Sequence, residues 1–507
     1  MWRKSEDRVE LFDNLALGLA TAASWENLLF CFAGVMIGTL VGVLPGISPL
    51  TTVAMLLPFT FGLPPASAFI MLAGIFYGAQ YGSSTAAILV NVPGETSSIV
   101  TCLDGYQMAR QGRAGSALAI AAIASFFAGT VATVVIALLS LPLAAFALKF
   151  TAVETTSLII LGLLGAVVLA HGSPPKAIAM VVVGVLVGLV GVDVNSGVPR
   201  MTFGIPDITD GISFVPIAIG LFGIAEMVRN LEHPQDRSFA GTRISNLVPT
   251  PADLMRAWPA MARGTAVGSI LGVLPGGGAA LPPFSAYALE KKIAADPARF
   301  GKGAIEGVAA PEAANNAGAQ TSFVPMLTLG IPSNPLMALM IGALMIQGIQ
   351  PGPQVMMKQP ELFWGVIASM WIGNLMLIII NLPLIGIWVS LLRVPYHLLF
   401  PAIVVFCAIG AYSVGNSLFD LWLMLGFGVL GYFFIKIGVE PAPFVLGFVL
   451  GPMLEENFRR AMLVSSGDFF VFLERPISAV LLGISALLLA ALLFPAIRRK
   501  RDVLRED

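Results

Sequence analysis

A chain of 507 residues that is 57% hydrophobic and only 11% charged is no soluble domain, where about a quarter of residues carry charge. Its mean hydropathy is +0.87, and apolar runs of membrane-spanning length recur from end to end, which makes it a polytopic membrane protein. A net charge of −1 implies neither nucleic acid nor an anionic surface. Cys31, Cys102 and Cys407, like His171, His233 and His397, are too scattered for a metal site or a disulfide framework.

The charged opening Met1 to Asn14 is not a cleavable signal peptide. Residues 1–26 read as an N-terminal interfacial segment with Trp25 at headgroup level. A first span covers 27–44 and stops at Leu44-Pro45-Gly46. Residues 47–60 are too short to cross and read as a re-entrant hairpin turning back near Gly62-Leu-Pro-Pro65. The next helix, 66–90, is polar for a span: Tyr77, Gln80, Tyr81, Ser83, Ser84 and Thr85 cluster in it. It breaks at Asn91-Val-Pro93-Gly94-Glu95, and a polar linker follows from Asp104 to Arg113. The stretch 114–148 is one tilted helix or a pair bent at Pro142. Spans near 155–171, 176–192 and 211–228 close the first half.

Residues 229–261 form the most polar connection, read as a cytoplasmic linker. The order then repeats: a span at 262–274, a hairpin at 277–289, a basic turn (Lys291, Lys292, Arg299, Lys302) and a polar helix at 304–329. A break at Pro332-Ser333-Asn334-Pro335 follows, then 336–349, a long apolar stretch at 361–392, and spans near 395–412, 417–435 and 441–453. An additional helix, 477–497, leads to a basic tail, 498–507.

The repetition is visible residue by residue. Gly34, Gly38, Gly42 and Leu44-Pro45-Gly46 return 230 positions later as Gly264, Gly268, Gly272 and Leu274-Pro275-Gly276. Gly78-Ala79-Gln80 returns as Gly318-Ala319-Gln320, an offset of 240, and Pro93 returns as Pro332, an offset of 239. Glycines four apart let helices approach closely. A helix broken in lipid is tolerated only where protein or a hydrated cavity satisfies its freed backbone groups. Equivalent breaks in two halves point to a transporter binding site.

Charge sets the orientation. The turn at 60–66 has no Lys or Arg, while its counterpart at 290–302 has four. The linker with Arg110 and Arg113 is answered by 347–361, which holds only Lys358. Positive residues favour the cytoplasmic side, so the halves, 27–228 and 262–453, read as opposed. The expected fold is all-α: two inverted-topology repeats with broken helices and re-entrant hairpins, roughly 10–14 membrane segments in all.

Helix starts at the breaks favour anions. For substrate the candidates are Gly46, Ser48, Asn91, Gly94, Thr96, Ser97, Ser98, Gly277, Gly278, Ser333 and Asn334. Oxygens of Asn91, Asn315, Asn316 and Gln320 suit a transported Na⁺. Helix capping and interhelical hydrogen bonding are the plain alternatives for each of them. Glu95 and Glu312 are the ionisable residues nearest the breaks, where ionisable groups are functional suspects. No Arg or Lys stands obviously beside them, so an anionic ligand would need a cation as counter-charge.

The runs Gly42-Val-Leu-Pro-Gly-Ile-Ser-Pro-Leu-Thr-Thr-Val-Ala-Met-Leu-Leu-Pro-Phe59 and Tyr77-Gly-Ala-Gln-Tyr-Gly-Ser-Ser-Thr-Ala-Ala-Ile-Leu-Val-Asn-Val-Pro-Gly-Glu95, continuing through Asp104-Gly-Tyr-Gln-Met-Ala-Arg-Gln-Gly-Arg-Ala-Gly115, resemble the large membrane subunit of tripartite tricarboxylate transporters. The resemblance covers nearly the whole chain. It implies a bacterial inner-membrane permease for citrate and other carboxylates; the basic tail after the last helix puts the C-terminus in the cytoplasm by the same charge rule. It also implies a small four-helix membrane subunit and a periplasmic binding protein as partners. Drive would come from a Na⁺ or H⁺ gradient, with no cofactor and no ATP site; no phosphate-binding Gly-x-x-x-x-Gly-Lys-Ser/Thr loop occurs in the chain. The rival classes are a membrane-embedded enzyme and a passive anion channel. The first needs a nucleophile with its base, or a metal pair; the second needs charged rings or a repeated filter. None of these is visible, so the chain is read as no enzyme.

Overall fold

The computed structural model describes residues 3–44, 47–170, 173–193, 196–232, 247–274, 281–392 and 396–493. The first half runs α1 (Arg3–Ala22), α2 (Trp25–Val43), α3 (Pro49–Leu56), α4 (Pro65–Val90), α5 (Ile99–Met108), α6 (Ala114–Ala147), α7 (Ala152–Leu169) and α8 (Pro174–Gly188). A two-stranded antiparallel hairpin follows, β1 (Gly191–Val192) and β2 (Pro199–Arg200). Next come α9 (Phe214–Ala218) and α10 (Ala225–Glu232), joined through a π-turn at Ile219–Ile224. The second half comprises α11 (Pro251–Val273), α12 (Leu281–Ile293), α13 (Glu306–Thr321), α14 (Phe323–Leu329), α15 (Pro335–Ile346), α16 (Pro353–Lys358), α17 (Pro360–Asn381), α18 (Ile385–Leu391), α19 (Tyr396–Gly415), α20 (Leu418–Lys436) and α21 (Ala442–Val464). Last are α22 (Val471–Glu474) and α23 (Pro476–Leu493).

Among the described residues five helical stretches are long and apolar enough to cross a membrane: Trp25–Val43, Thr96–Ala147, Phe214–Glu232, Pro360–Asn381 and Leu418–Lys436. Shorter apolar helices stand between them. The protein is therefore an all-α, multi-pass membrane protein. Pro142 leaves α6 a single helix, whereas the stretch 361–392 is divided between α17 and α18. α11 begins eleven residues before the span read from hydropathy. Thr250 caps it, accepting from the Asp253 amide at 3.1 Å, and Pro251 opens it. The opening segment is a helix too, with Gly18 set directly against the Trp364 carbonyl of α17.

Two helix pairs form the centre, α2 with α4 and α11 with α13. A Cβ at Gly34, Gly38 or Gly42 would stand 2.3 Å from the carbonyl oxygen of Met71, Ile75 or Ala79. At Gly264, Gly268 and Gly272 it would stand 2.3 Å from those of Ala310, Ala314 and Gly318. Each glycine stripe thus lies on the backbone of the second α-helix after its own, α4 for α2 and α13 for α11. The facing carbonyls are offset by 239, the offset of Pro93 and Pro332, so Ala79 rather than Gly78 corresponds to Gly318. The shared Gly-Ala-Gln triplet is one residue out of register; backbone contact, not residue identity, sets the equivalence.

The helix ends match as well. Leu44 (φ −70°, ψ 117°) and Leu274 (φ −71°, ψ 125°) leave α2 and α11 in the same extended conformation. Asn91 (φ 57°, ψ 31°) and Gly330 (φ 71°, ψ 23°) end α4 and α14 in the left-handed region. That conformation belongs to glycine and is tolerated by asparagine. Glu95 (φ −145°, ψ 164°) and Asn334 (φ −153°, ψ 169°) then start the next helical segments.

Polar contacts tie the halves at two ends. At one end Asp104 accepts from the amides of Gly301, Gly303 and Ala304 at 2.9, 2.8 and 2.7 Å and from the Tyr287 hydroxyl at 2.9 Å. Gln111 donates to the Lys302 carbonyl (2.8 Å), and Arg113 pairs with Asp253 (2.7 Å). At the other, Gln347 donates to the Thr60 carbonyl (3.5 Å). Arg200 and Arg459 share Asp193 and Glu455 at 2.6–3.0 Å. The Glu455 hydrogen bond and the two carboxylates raise the Arg200 pKa, burial opposing, so Arg200 stays charged.

Candidate functional site

The polar residues of α4 and α13 face each other where the first break folds back over them. Glu312, one turn and a half into α13, is 1% exposed. Thr101 of α5 donates to its Oε1 at 2.5 Å, and Ser84 of α4 to its Oε2 at 2.8 Å. Ser125 of α6 stands 3.4 Å from the same Oε2. Three elements of the first half therefore close on one carboxylate of the second.

The predicted ion-site residues gather around this centre. Asn316 donates to Ser125 Oγ at 2.7 Å and to the Glu312 carbonyl at 3.1 Å. Asn315 accepts from Gln80 at 3.4 Å and donates to Glu95 Oε1 at 3.2 Å. Gln320 accepts from Thr133 at 2.9 Å, while its Nε2 and the Oε1 of Gln80 are buried without partners. Asn91 is not among them: it is exposed and caps α4.

The substrate candidates divide between the breaks. Gly94 is buried so tightly that a Cβ would stand 2.7 Å from Ser83 Oγ. Ser98 is buried, 2.8 Å from the same hydroxyl, Ser97 is buried and Thr96 is exposed. Glu95 turns to Asn315, so the turn Thr96–Ser98 has no side-chain cap. At the second break Asn334 caps α15 through Met337 N (2.9 Å), and Ser333 donates to the Ser322 carbonyl at 3.4 Å. Among the described residues no hydrogen bond joins the two breaks. Ser48 caps α3, accepting from Thr51 N at 3.1 Å. Gly46, Gly277 and Gly278 lie outside the described residues.

Sequence reasoning missed Glu226. It lies in α10, accepts a hydrogen bond from Ser48 at 3.2 Å, and accepts another from the Thr51 hydroxyl. A carboxylate within an apolar span is itself a signal, but here it stood close to the end of the span as read. The Thr101, Ser125 and Thr133 hydroxyls were also missed; Ser125 and Thr133 are eight apart, on one face of α6.

Among the described residues no Arg or Lys bonds to Glu95 or Glu312. A cluster of carboxylates, amides and hydroxyls without a fixed cation suits a cation or proton. It would hold a bare anion only with a counter-charge. The cavity beside Glu312, bounded also by Tyr81, Ser84, Ser125 and Asn381, measures about 20 Å³, room for about one water.

The model of the "Tripartite tricarboxylate transporter TctA family" matches residues 28–446. An Agrobacterium vitis protein described as "Uncharacterized 52.8 kDa protein in TAR-I ttuC' 3'region" is 57% identical over 494 residues, 97% of this chain and 98% of the relative. A second, "Uncharacterized protein in TAR-II ttuC' 3'region" from the same organism, is 60% identical over 235 residues, 46% of this chain and 97% of its own. No solved structure matches. With a family match across most of its length, and a carboxylate-and-amide cluster folded under a broken helix, the chain belongs to the tripartite tricarboxylate transporter TctA family.

Proposed function

We propose that this chain is the permease subunit of an ion-gradient-driven importer of di- or tricarboxylates or related organic acids. A periplasmic binding protein delivers the substrate, and a small four-helix membrane subunit accompanies the chain in the inner membrane. The observation that carries this is the matched pair of breaks: left-handed ends at Asn91 and Gly330, then extended starts at Glu95 and Asn334. Paired broken helices beside polar groups are what a transporter site requires. The substrate's carboxylates are received by the uncapped amides of Thr96 and Ser97 and by the Ser333–Asn334 turn, with the cation at the Glu312 cluster. A cavity with room for one water favours alternating access over an open channel.

The inverted arrangement draws support from the contacts between halves. The linker after the first-half break meets the turn after the second-half hairpin through Asp104 and Gln111. The turn after the first-half hairpin meets the segment after the second-half break through Thr60 and Gln347. That exchange is what opposed repeats produce. Residues 291–302 and the tail 498–507 are then cytoplasmic, and 351–358 and the N-terminus periplasmic, in line with the basic residues. Cysteines placed at 295 and 356 are expected to react with an impermeant maleimide from opposite sides; labelling from one side contradicts the inversion.

Uptake of citrate and of tartrate, each measured against Na⁺ concentration and pH, tests the site. Asn334→Ala is expected to lower uptake about tenfold, a loss near 1.4 kcal/mol, with the protein still inserted. Asn91→Ala falls similarly while Ser97→Ala does less, because Ser98 and backbone amides substitute. Asn91→Gly separates ligand from cap: glycine restores the left-handed cap, so full uptake in that variant would remove Asn91 from the site.

A further inference from the structure

The hydroxyls around Glu312 offer more acceptors than hydrogens. Ser84 Oγ has one hydrogen and two acceptor neighbours, the Gln80 carbonyl at 3.2 Å and Glu312 Oε2 at 2.8 Å. Thr101 donates to Oε1 at 2.5 Å. Ser125 already accepts from Asn316 at 2.7 Å, which leaves its own hydrogen for Glu312. If Oε2 carries a hydrogen, it donates to Ser84, and Ser84 turns its hydrogen to the Gln80 carbonyl. If it does not, Ser84 turns back and donates to the carboxylate. Both states leave the cluster bonded, and they differ by one proton and one hydroxyl rotation.

We propose that Glu312 is a reversible proton-binding site and that the proton it carries is the coupling ion. The coupling role rests on the permease reading above; the proton site does not. Uptake forms one O–H bond at Oε2 and release breaks it, with no other covalent change. Burial supplies the reason for protonation: a carboxylate removed from water needs a cation or a proton. Its titratable neighbours are Glu95 from the break, Tyr81 from α4 and Cys102 from α5; Asp104 of α5 and Tyr287 of α12 stand against Gly307 at the start of α13 and bond to each other. Arg256 and Arg263 of α11 pair with Glu306 and Glu290. α6 contributes no titratable group. The fixed positive charge of the neighbourhood is thus committed elsewhere. The hydroxyls stand in direct hydrogen-bond contact with the carboxylate oxygens, and the adjacent cavity of about 20 Å³ admits one water as a path for the proton.

Difference infrared spectroscopy of the purified full-length chain in lipid tests this without any substrate. The wild type is expected to show a carboxylic-acid C=O band that disappears on alkaline titration and is missing in Glu312→Gln. Ser84→Ala is expected to keep the band but move the midpoint of its disappearance, because the rotating hydroxyl is gone. Wild-type and Glu312→Gln spectra that coincide across the pH range would overturn the proposal. So would loss of the band on adding Na⁺ at fixed pH, which would make this a sodium site. In proteoliposomes with citrate as probe, Glu312→Gln is expected to lose the acceleration of uptake by an imposed pH gradient; acceleration retained as in the wild type overturns the coupling role. A titrating band in a chain that moves no organic acid would refute the permease reading and leave the proton site standing.

Discussion

Asp104→Ala is expected to destabilise the protein by about 2–6 kcal/mol and to abolish transport. Asp104 is fully buried and accepts four hydrogen bonds from the opposite half. Gly301 is exposed and its amide recovers a water partner, but Ala304 is buried. The Ala304 amide and the Tyr287 hydroxyl are then left to pay desolvation, at about 1–3 kcal/mol each. Asp104→Asn keeps an acceptor and should cost about half as much. The same helix carries Thr101, which holds Glu312, so Asp104 also fixes the register of α5 on α13. Thermal unfolding in detergent measures the first effect and citrate uptake the second. An alanine variant as stable as wild type would show that this contact does not hold the halves together.

The second large effect is expected at the glycine stripes. In an ordinary helix interior Gly→Ala gains about 1 kcal/mol. At Gly38 and Gly268 the added carbon would sit 2.3 Å from a backbone carbonyl oxygen, which cannot rotate aside as a side chain can. Overpacking of this kind costs about 1–3 kcal/mol, so the sign reverses. Gly38→Ala and Gly268→Ala should lower the yield of monodisperse protein, and both at once should prevent its recovery. Gly386→Ala and Gly483→Ala, with open space around each glycine, should be neutral. Equal behaviour of all four in size-exclusion profiles would mean that the pairs are not packed on their glycines.

Much of the architecture was legible because it rests on local chemistry. Gly-x-x-x-Gly stripes, prolines after Leu44 and Leu274 and the break at Pro93 each limit the backbone regardless of what lies across from it. The polar face of α4 was legible for the same reason. What pairs with it was not: Thr101, Ser125 and Glu312 are brought together from three helices, and nothing local to Thr101 marks it. The Asp104–Arg113 run read as a linker because its partners stand some two hundred residues away, at 301–304. The early start of α11 was missed because its first turns are polar, and capping by Thr250 rather than hydropathy decides where it begins. Asn91 shows a position with two readings in the sequence: its backbone conformation, shared with Gly330, accounts for an asparagine there whether or not it meets a ligand.

The central claim is that two matched broken helix pairs carry an organic acid across the membrane at the cost of an ion gradient. Its most direct test is uptake of radiolabelled citrate and tartrate into proteoliposomes. These hold the chain with its small membrane subunit, and the binding protein is supplied outside. The account predicts accumulation above the external concentration when an inward proton gradient is imposed, saturation with binding protein, and collapse of the accumulated pool when the gradient is dissipated. Uptake that only equilibrates, at a rate indifferent to proton and sodium gradients alike, would contradict it.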